Sequence, residues 1–77
     1  MRRVLSAYEK TTGYHINDVD INISVDELVQ IFTPYEGDIR MIMRYDVDEE
    51  KAEILKPYTG EVYNFDLYDY DVGAYSS

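Results

Sequence analysis

Acidic side chains at alternate positions are the first feature of this chain that could do chemistry. In Asp18-Val19-Asp20-Ile21-Asn22 the oxygen-bearing residues fall where the first, third and fifth ligands of a calcium loop of the EF-hand type would be. Such a loop needs glycine at its sixth position for the sharp turn and a bidentate glutamate at its twelfth. Those positions hold Ile23 and Val29. Asp46-Val47-Asp48-Glu49-Glu50 fails in the same way, with Lys51 and Pro57 at the two diagnostic places. Both groups read instead as the solvent face of a strand and the first turn of a helix. Carboxylate pairs of the glycosidase kind could be drawn from almost any of the 16 acids, and that freedom removes the signal. His15 has no serine partner near it in sequence, and there is no glycine-rich phosphate loop or G-x-S-x-G turn. With no cysteine and one histidine, a disulfide framework, a thiol nucleophile and an ordinary zinc site all lack their residues. The expectation is a protein without catalytic residues, metal or cofactor.

Tyrosine is the compositional anomaly: nine tyrosines stand beside two phenylalanines and no tryptophan. Tyr8, Tyr45 and Tyr63 read as structural, each burying its ring and leaving its hydroxyl at the surface. Tyr68-Asp69-Tyr70-Asp71 is different, because it offers aromatic rings on one face and carboxylates on the other. Tyrosines are frequent binding hot spots and flanking acids pair with a partner's arginines or lysines. The plainer account is a last strand whose tyrosines cover the sheet and whose aspartates discourage edge-to-edge pairing.

The charge balance points the same way. Sixteen acids against seven lysines and arginines give a net charge of −9 over 77 residues. Phosphate backbones are bound through clusters of lysine and arginine, so direct nucleic-acid binding is not expected; a basic protein partner is. Residues 11–38 contain Asp18, Asp20, Asp26, Glu27, Glu36 and Asp38 with no lysine or arginine. Residues 57–77 contain Glu61, Asp66, Asp69 and Asp71, again with none. No local base neutralises either tract. No apolar run reaches the roughly 20 residues of a membrane span or looks like a signal peptide, so a cytoplasmic, membrane-free protein is expected.

The elements that must position these residues follow from periodicity. Val4 to Tyr8 reads as a strand, Thr11-Thr12-Gly13 as its turn, and Tyr14 to Ile23 as the returning strand, with Val19, Ile21 and Ile23 inward. Ile16 lies three residues before Val19, so the register slips near Asn17 and a bulge is predicted. Ser24 and Glu27 form a capping box ahead of Val25, Leu28, Val29 and Phe32, a helical stripe that Pro34 and Gly37 end. Ile39, Met41, Met43 and Tyr45 alternate with Arg40, Ile42 and Arg44, which predicts a strand with the methionines toward the helices and the arginines in solvent. Asp46 and Glu49 open a second helix with Val47, Ala52, Ile54 and Leu55 inward, ending before Pro57. From Val62 the apolar positions are odd up to Leu67 and then even from Tyr68 to Ala74, as in one bent strand or two short ones. The whole is a single α+β domain, residues 1–77, in ββαβαβ order, with two helices on one face of a mainly antiparallel sheet.

Several short segments carry a resemblance. Arg3-Val4-Leu5-Ser6-Ala7-Tyr8 with Thr11-Thr12-Gly13, the Ser24-x-x-Glu27-Leu28 helix, the Ala52-Glu53-x-Leu55 helix and the ending Phe65-Asp66-x-Tyr68-Asp69-Tyr70…Ala74-Tyr75 are similar to a family of small bacterial proteins of unknown function. Members of that family resemble the immunity genes of toxin–immunity loci, including contact-dependent inhibition systems. The resemblance implies a small α+β fold, no catalytic residues and a toxin as partner.

Together these readings give an immunity protein that binds a cognate basic toxin domain, such as a nuclease, as a monomer in a 1:1 complex. The alternative is a nucleic-acid mimic that inhibits a host or phage DNA- or RNA-binding enzyme; a small enzyme, or a subunit of a larger assembly, is a third class. A standard interface takes about 800 Å² per partner. Because only residues 57–77 join acids to clustered tyrosines, the expected contact residues are Glu61, Asp66, Tyr68, Asp69, Tyr70 and Asp71. The rival surface carries Asp18, Asp20, Asp26 and Glu27.

Overall fold

The computed structural model describes residues 2–75, so Met1, Ser76 and Ser77 at the two ends of the expected domain lie outside it. Strand β1 (Arg2–Glu9) returns through a turn at Gly13 into β2 (His15–Asp20). Gly13 has φ of 76°, in the left-handed region that glycine enters without a steric cost, and its N–H bonds Glu9 O at 2.7 Å. Ala7 faces Asn17 while Tyr8 faces His15, leaving Ile16 as the extra residue. That is the predicted bulge.

Helix α1 (Val25–Ile31) begins on the capping box, with Ser24 Oγ accepting from the Glu27 N–H and the Glu27 carboxylate accepting from the Ser24 N–H, both at 3.1 Å. A long connection leads to β3 (Tyr45–Val47), then α2 (Glu49–Thr59) and β4 (Tyr68–Tyr75). The sheet is antiparallel throughout in the order β2-β1-β4-β3, so the first and last strands pair at its centre. The α+β class and ββαβαβ order are those read from the sequence.

Alternation sorts the sheet into two faces. Val19, Leu5, Val72 and Tyr45 lie in one cross-strand row and Ala7, Tyr70 and Val47 in the next. These pack with Ile21, Ile23, Leu28, Phe32, Met41, Ala52 and Leu55, which places the core between sheet and helices. The other face carries Val4, Ser6, Tyr8, Asp18, Asp20, Asp46, Asp69, Asp71, Gly73 and Tyr75 and, among the described residues, no helix.

Several expectations are corrected. Residues 39–44 are not a strand. Met41 has φ of 52°, which no strand accommodates, and the backbone there is held by side chains instead of a ladder. The Arg3 guanidinium reaches across the core to donate to the carbonyls of Met41 and Arg40, and Asp38 accepts the N–H groups of Ile42 and Met43 at 2.9 and 3.1 Å. Met41 is consequently buried while Met43 and Ile39 are exposed; Arg40 and Arg44 do reach solvent. Helix α2 starts on Asp48, not Asp46, with Asp48 Oδ1 accepting from the Lys51 N–H. It runs through Pro57 to Thr59 and stops at Gly60, whose φ is 66°. Proline removes one donor, but in the last turn the helix still closes through Gly60 N–H to Lys56 O at 2.9 Å. Val29 and Ile54, assigned inward, are exposed. Residues 62–67 form a loop and turn rather than a strand, because Asn64 collects the N–H groups of Asp66, Leu67 and Tyr68. From Tyr68 the even positions face the core, as predicted. The tyrosine hydroxyls depart from expectation as well: Tyr45 spends its hydroxyl inside on Asp38, and that of Tyr63 is sealed from solvent.

Candidate partner-binding surface

Strand alternation divides the six expected contact residues. Tyr68 and Tyr70 point to the helix side, where Tyr70 is buried and its hydroxyl accepts the Asn64 N–H at 2.9 Å. Asp69 and Asp71 point to the helix-free face. Glu61 and Asp66 lie in the connection between α2 and β4. The tyrosines and aspartates of Tyr68-Asp69-Tyr70-Asp71 thus do not share a surface, and the aromatic half of that motif is mainly core.

Tracts without a base in sequence acquire bases in space. Asp69 pairs with Lys10 at 3.2 Å and Asp71 with Arg44 at 2.8 Å. On the rival side Asp20 pairs with Arg2 at 2.7 Å, while Asp18 accepts from Ser6 Oγ at 2.6 Å and contacts His15 at 2.7 Å. The Ser6 hydroxyl, more than His15, holds the Asp18 carboxyl below the usual carboxylate range. Asp71 goes the other way: burial pushes its pKa up, against the attraction of Arg44. Arg44 lies across Gly73, where an added Cβ would meet its Nη1 at 3.3 Å, and over the Tyr75 ring at 5.2 Å. It donates to the Tyr75 hydroxyl at 2.6 Å, so the middle of the helix-free face is occupied by the protein's own guanidinium.

Further carboxylates gather at the β3 edge of the sheet. Asp46 of β3 and Asp69 of β4 line one shallow surface depression with Val47 and Tyr70. Directly after β3, α2 opens with Asp48, Glu49 and Glu50. Asp48 and Glu53 meet Lys51 and Lys56 within the helix, at 3.4 and 3.8 Å. Among the described residues, Asp46, Glu49 and Glu50 have no ion pair. An acidic margin therefore runs from β4 over β3 and along α2. Beside α2, and sharing Glu49 with this margin, a cleft of about 300 Å³ opens against Val62, Tyr63 and Phe65.

A separate surface was not foreseen from sequence. The connection between α1 and β3 exposes Tyr35, Ile39, Ile42 and Met43 on a backbone clamped by Arg3 and Asp38. Pro34 and Gly37 signalled the chain's change of direction, but the alternation after Asp38 masked the loop.

No group of three or more histidine, aspartate or glutamate side chains among the described residues is arranged to hold a metal ion. Nor is any helix there long and apolar enough to cross a membrane. Residues 2–73 match a domain of unknown function, DUF7683. The chain belongs to the DUF7683 family. No curated protein and no solved structure matches it. The match extends from β1 well into β4, so the DUF7683 domain takes in the central strand pair, both helices, the clamped loop and the acidic margin.

Proposed function

We propose that this DUF7683 protein is an immunity protein that binds and neutralises a cognate basic toxin domain. The observation that carries the reading is the acidic margin: Asp46 shares a depression with Asp69, Glu49 and Glu50 open the helix that follows β3, and Asp46, Glu49 and Glu50 have no ion pair among the described residues. A nuclease must attract a polyanion, so its cleft is basic, and an inhibitor of charge −9 is steered toward it. Steering of this kind raises association well above the roughly 10⁵–10⁶ M⁻¹s⁻¹ of neutral pairs. Carboxylates on the margin stand in for phosphates, and exposed apolar side chains beside them supply contact area. Inhibition is steric and electrostatic. The protein acts in the cytoplasm as a monomer, one copy per toxin.

The test is a titration of the purified protein against the carboxy-terminal domain encoded by the gene directly upstream. A 1:1 complex that silences that domain and forms more slowly at 0.5 M salt is expected. If the upstream product is neither bound nor inhibited, the reading fails. Capture of a host DNA-binding enzyme instead would turn it toward nucleic-acid mimicry.

A further inference from the structure

The cleft beside α2 has two unlike walls. On one side Glu49 and Glu53, one helical turn apart, flank Ala52. On the other, the rings of Tyr63 and Phe65 run nearly parallel, 9° apart in plane with centroids at 5.8 Å. Both meet the buried Tyr70 ring edge-on, at 4.9 and 5.2 Å, so the core fixes this aromatic wall from behind. The cation lining the cleft is Lys56, 3.8 Å from Glu53, in a pair whose side chains are 57% and 76% exposed. A pair so long and so wet is worth little and is easily displaced.

We propose that this cleft receives an arginine side chain of the partner protein. The guanidinium stacks on the aromatic wall formed by Tyr63 and Phe65 while its N–H groups donate to Glu49 and Glu53. Three features of the site ask for a planar cation. Ring faces attract cations through their quadrupole, and a delocalised guanidinium stacks where a compact, strongly hydrated ammonium does not. Carboxylates at successive turns match the fork of N–H donors. The volume of about 300 Å³ suits one long side chain rather than a helix or strand. The assignment rests on the reading above that the partner is a basic protein, and it names the chemistry of one contact.

The experiment is a titration of the ¹⁵N-labelled protein with N-acetylargininamide, using the citrulline and lysine analogues as controls. Saturable shifts centred on Glu49, Ala52, Glu53, Tyr63 and Phe65 are expected. Binding of the lysine analogue should be at least about threefold weaker, because it forgoes stacking. Citrulline, isosteric and neutral, should give no saturation. Glu49→Gln with Glu53→Gln should abolish the arginine response in a protein whose spectrum stays dispersed, and Phe65→Leu should weaken it with both carboxylates in place. Shifts spread evenly over all acidic residues, or equal for arginine and lysine, would overturn the assignment. So would a double glutamine variant that loses the arginine response yet captures the toxin with unchanged affinity, a result that leaves the immunity reading standing. Arginine binding at the cleft in a protein that ignores its upstream neighbour would sink only the latter.

Discussion

The Tyr45 hydroxyl donates to Oδ2 of Asp38 at 2.6 Å inside the core. The same hydroxyl accepts the Tyr35 N–H at 3.0 Å, and the two rings stack at 4.4 Å with planes 13° apart. Asp38 in turn holds the N–H groups of Ile42 and Met43, and Arg3 holds the carbonyls of Arg40 and Met41. Two buried side chains of opposite charge thus take up backbone groups that a sheet ladder would otherwise pair. This network fixes a loop that displays Ile39, Ile42 and Met43 to solvent.

Tyr45→Phe keeps the ring and deletes the hydroxyl. Asp38 then lacks one donor and the Tyr35 N–H lacks its acceptor, which should cost about 1–3 kcal/mol of stability. Urea denaturation followed by circular dichroism measures it. Amide exchange should accelerate at Ile42 and Met43 before it does in β1. A loss of stability without that local loosening would mean the network does not hold the loop.

How far the sequence reached can be judged from these residues. The β1–β2 hairpin was legible because turn chemistry at Gly13, alternation from Asp18 to Ile23 and the slip at Ile16 are all local signals. The helix starts at Ser24 and near Asp48 were legible for the same reason. Residues 39–44 misled because Ile39, Met41, Met43 and Tyr45 alternate like a strand, while the cause of the loop, Arg3, stands 38 positions before Met41. The surface failed similarly. Lys10 and Arg44 reach Asp69 and Asp71 only after folding, so tracts of like charge in sequence are not tracts of like charge in space.

Acid should unfold the protein through a definable set of carboxylates. Tyr45 lowers the pKa of Asp38, Tyr58 that of Glu27, the Lys51 N–H that of Asp48 and Ser6 that of Asp18. Each group, depressed in the fold, contributes stability that is fully present above the ordinary carboxylate value near about 4 and is lost as pH falls through the folded value. Asp71, raised by burial, has the opposite sign: its penalty at neutral pH is relieved as it protonates. With four depressed groups against this one, urea midpoints should drop as pH falls below about 4. Asp38→Asn should show a shallower drop than the parent. Midpoints that stay flat or rise through this range would contradict the assignment.

The cap of α1 should matter more than its position suggests. The helix has seven residues, too few to persist alone, and Ser24 and Glu27 satisfy two of its orphan N–H groups. Ser24→Ala should cost about 0.5–2 kcal/mol, read as a lowered thermal midpoint. Ser24→Asp, which keeps an acceptor and adds favourable charge at the helix start, should restore most of it. Equal losses in both variants would show that the position tolerates only serine for reasons of packing.

Charge reversal on the acidic margin should separate interface from scaffold. Asp71→Lys is a poor probe, because Asp71 is half-buried and bonded to Arg44, so the change would place two cations together and disturb β4. Tyr70 is no better, since its ring is core and its hydroxyl holds the Asn64 N–H. Asp46 and Glu50 are exposed and unpaired among the described residues, so lysine there leaves the fold intact. Asp46→Lys with Glu50→Lys moves the net charge from −9 to −5, since each reversal adds two. Association with the upstream-encoded domain should slow at least about tenfold at low salt and converge on the parent's rate at high salt, while dissociation changes less. Reversing Asp20, whose ion pair with Arg2 is solvent-exposed, together with Asp26 makes the same change in net charge on the β2–α1 side, and stopped-flow mixing compares the two variants directly. A larger slowing from the margin locates the contact there. Equal slowing would mean that only net charge matters, and a larger effect from Asp20 and Asp26 would move the interface to the β2–α1 side.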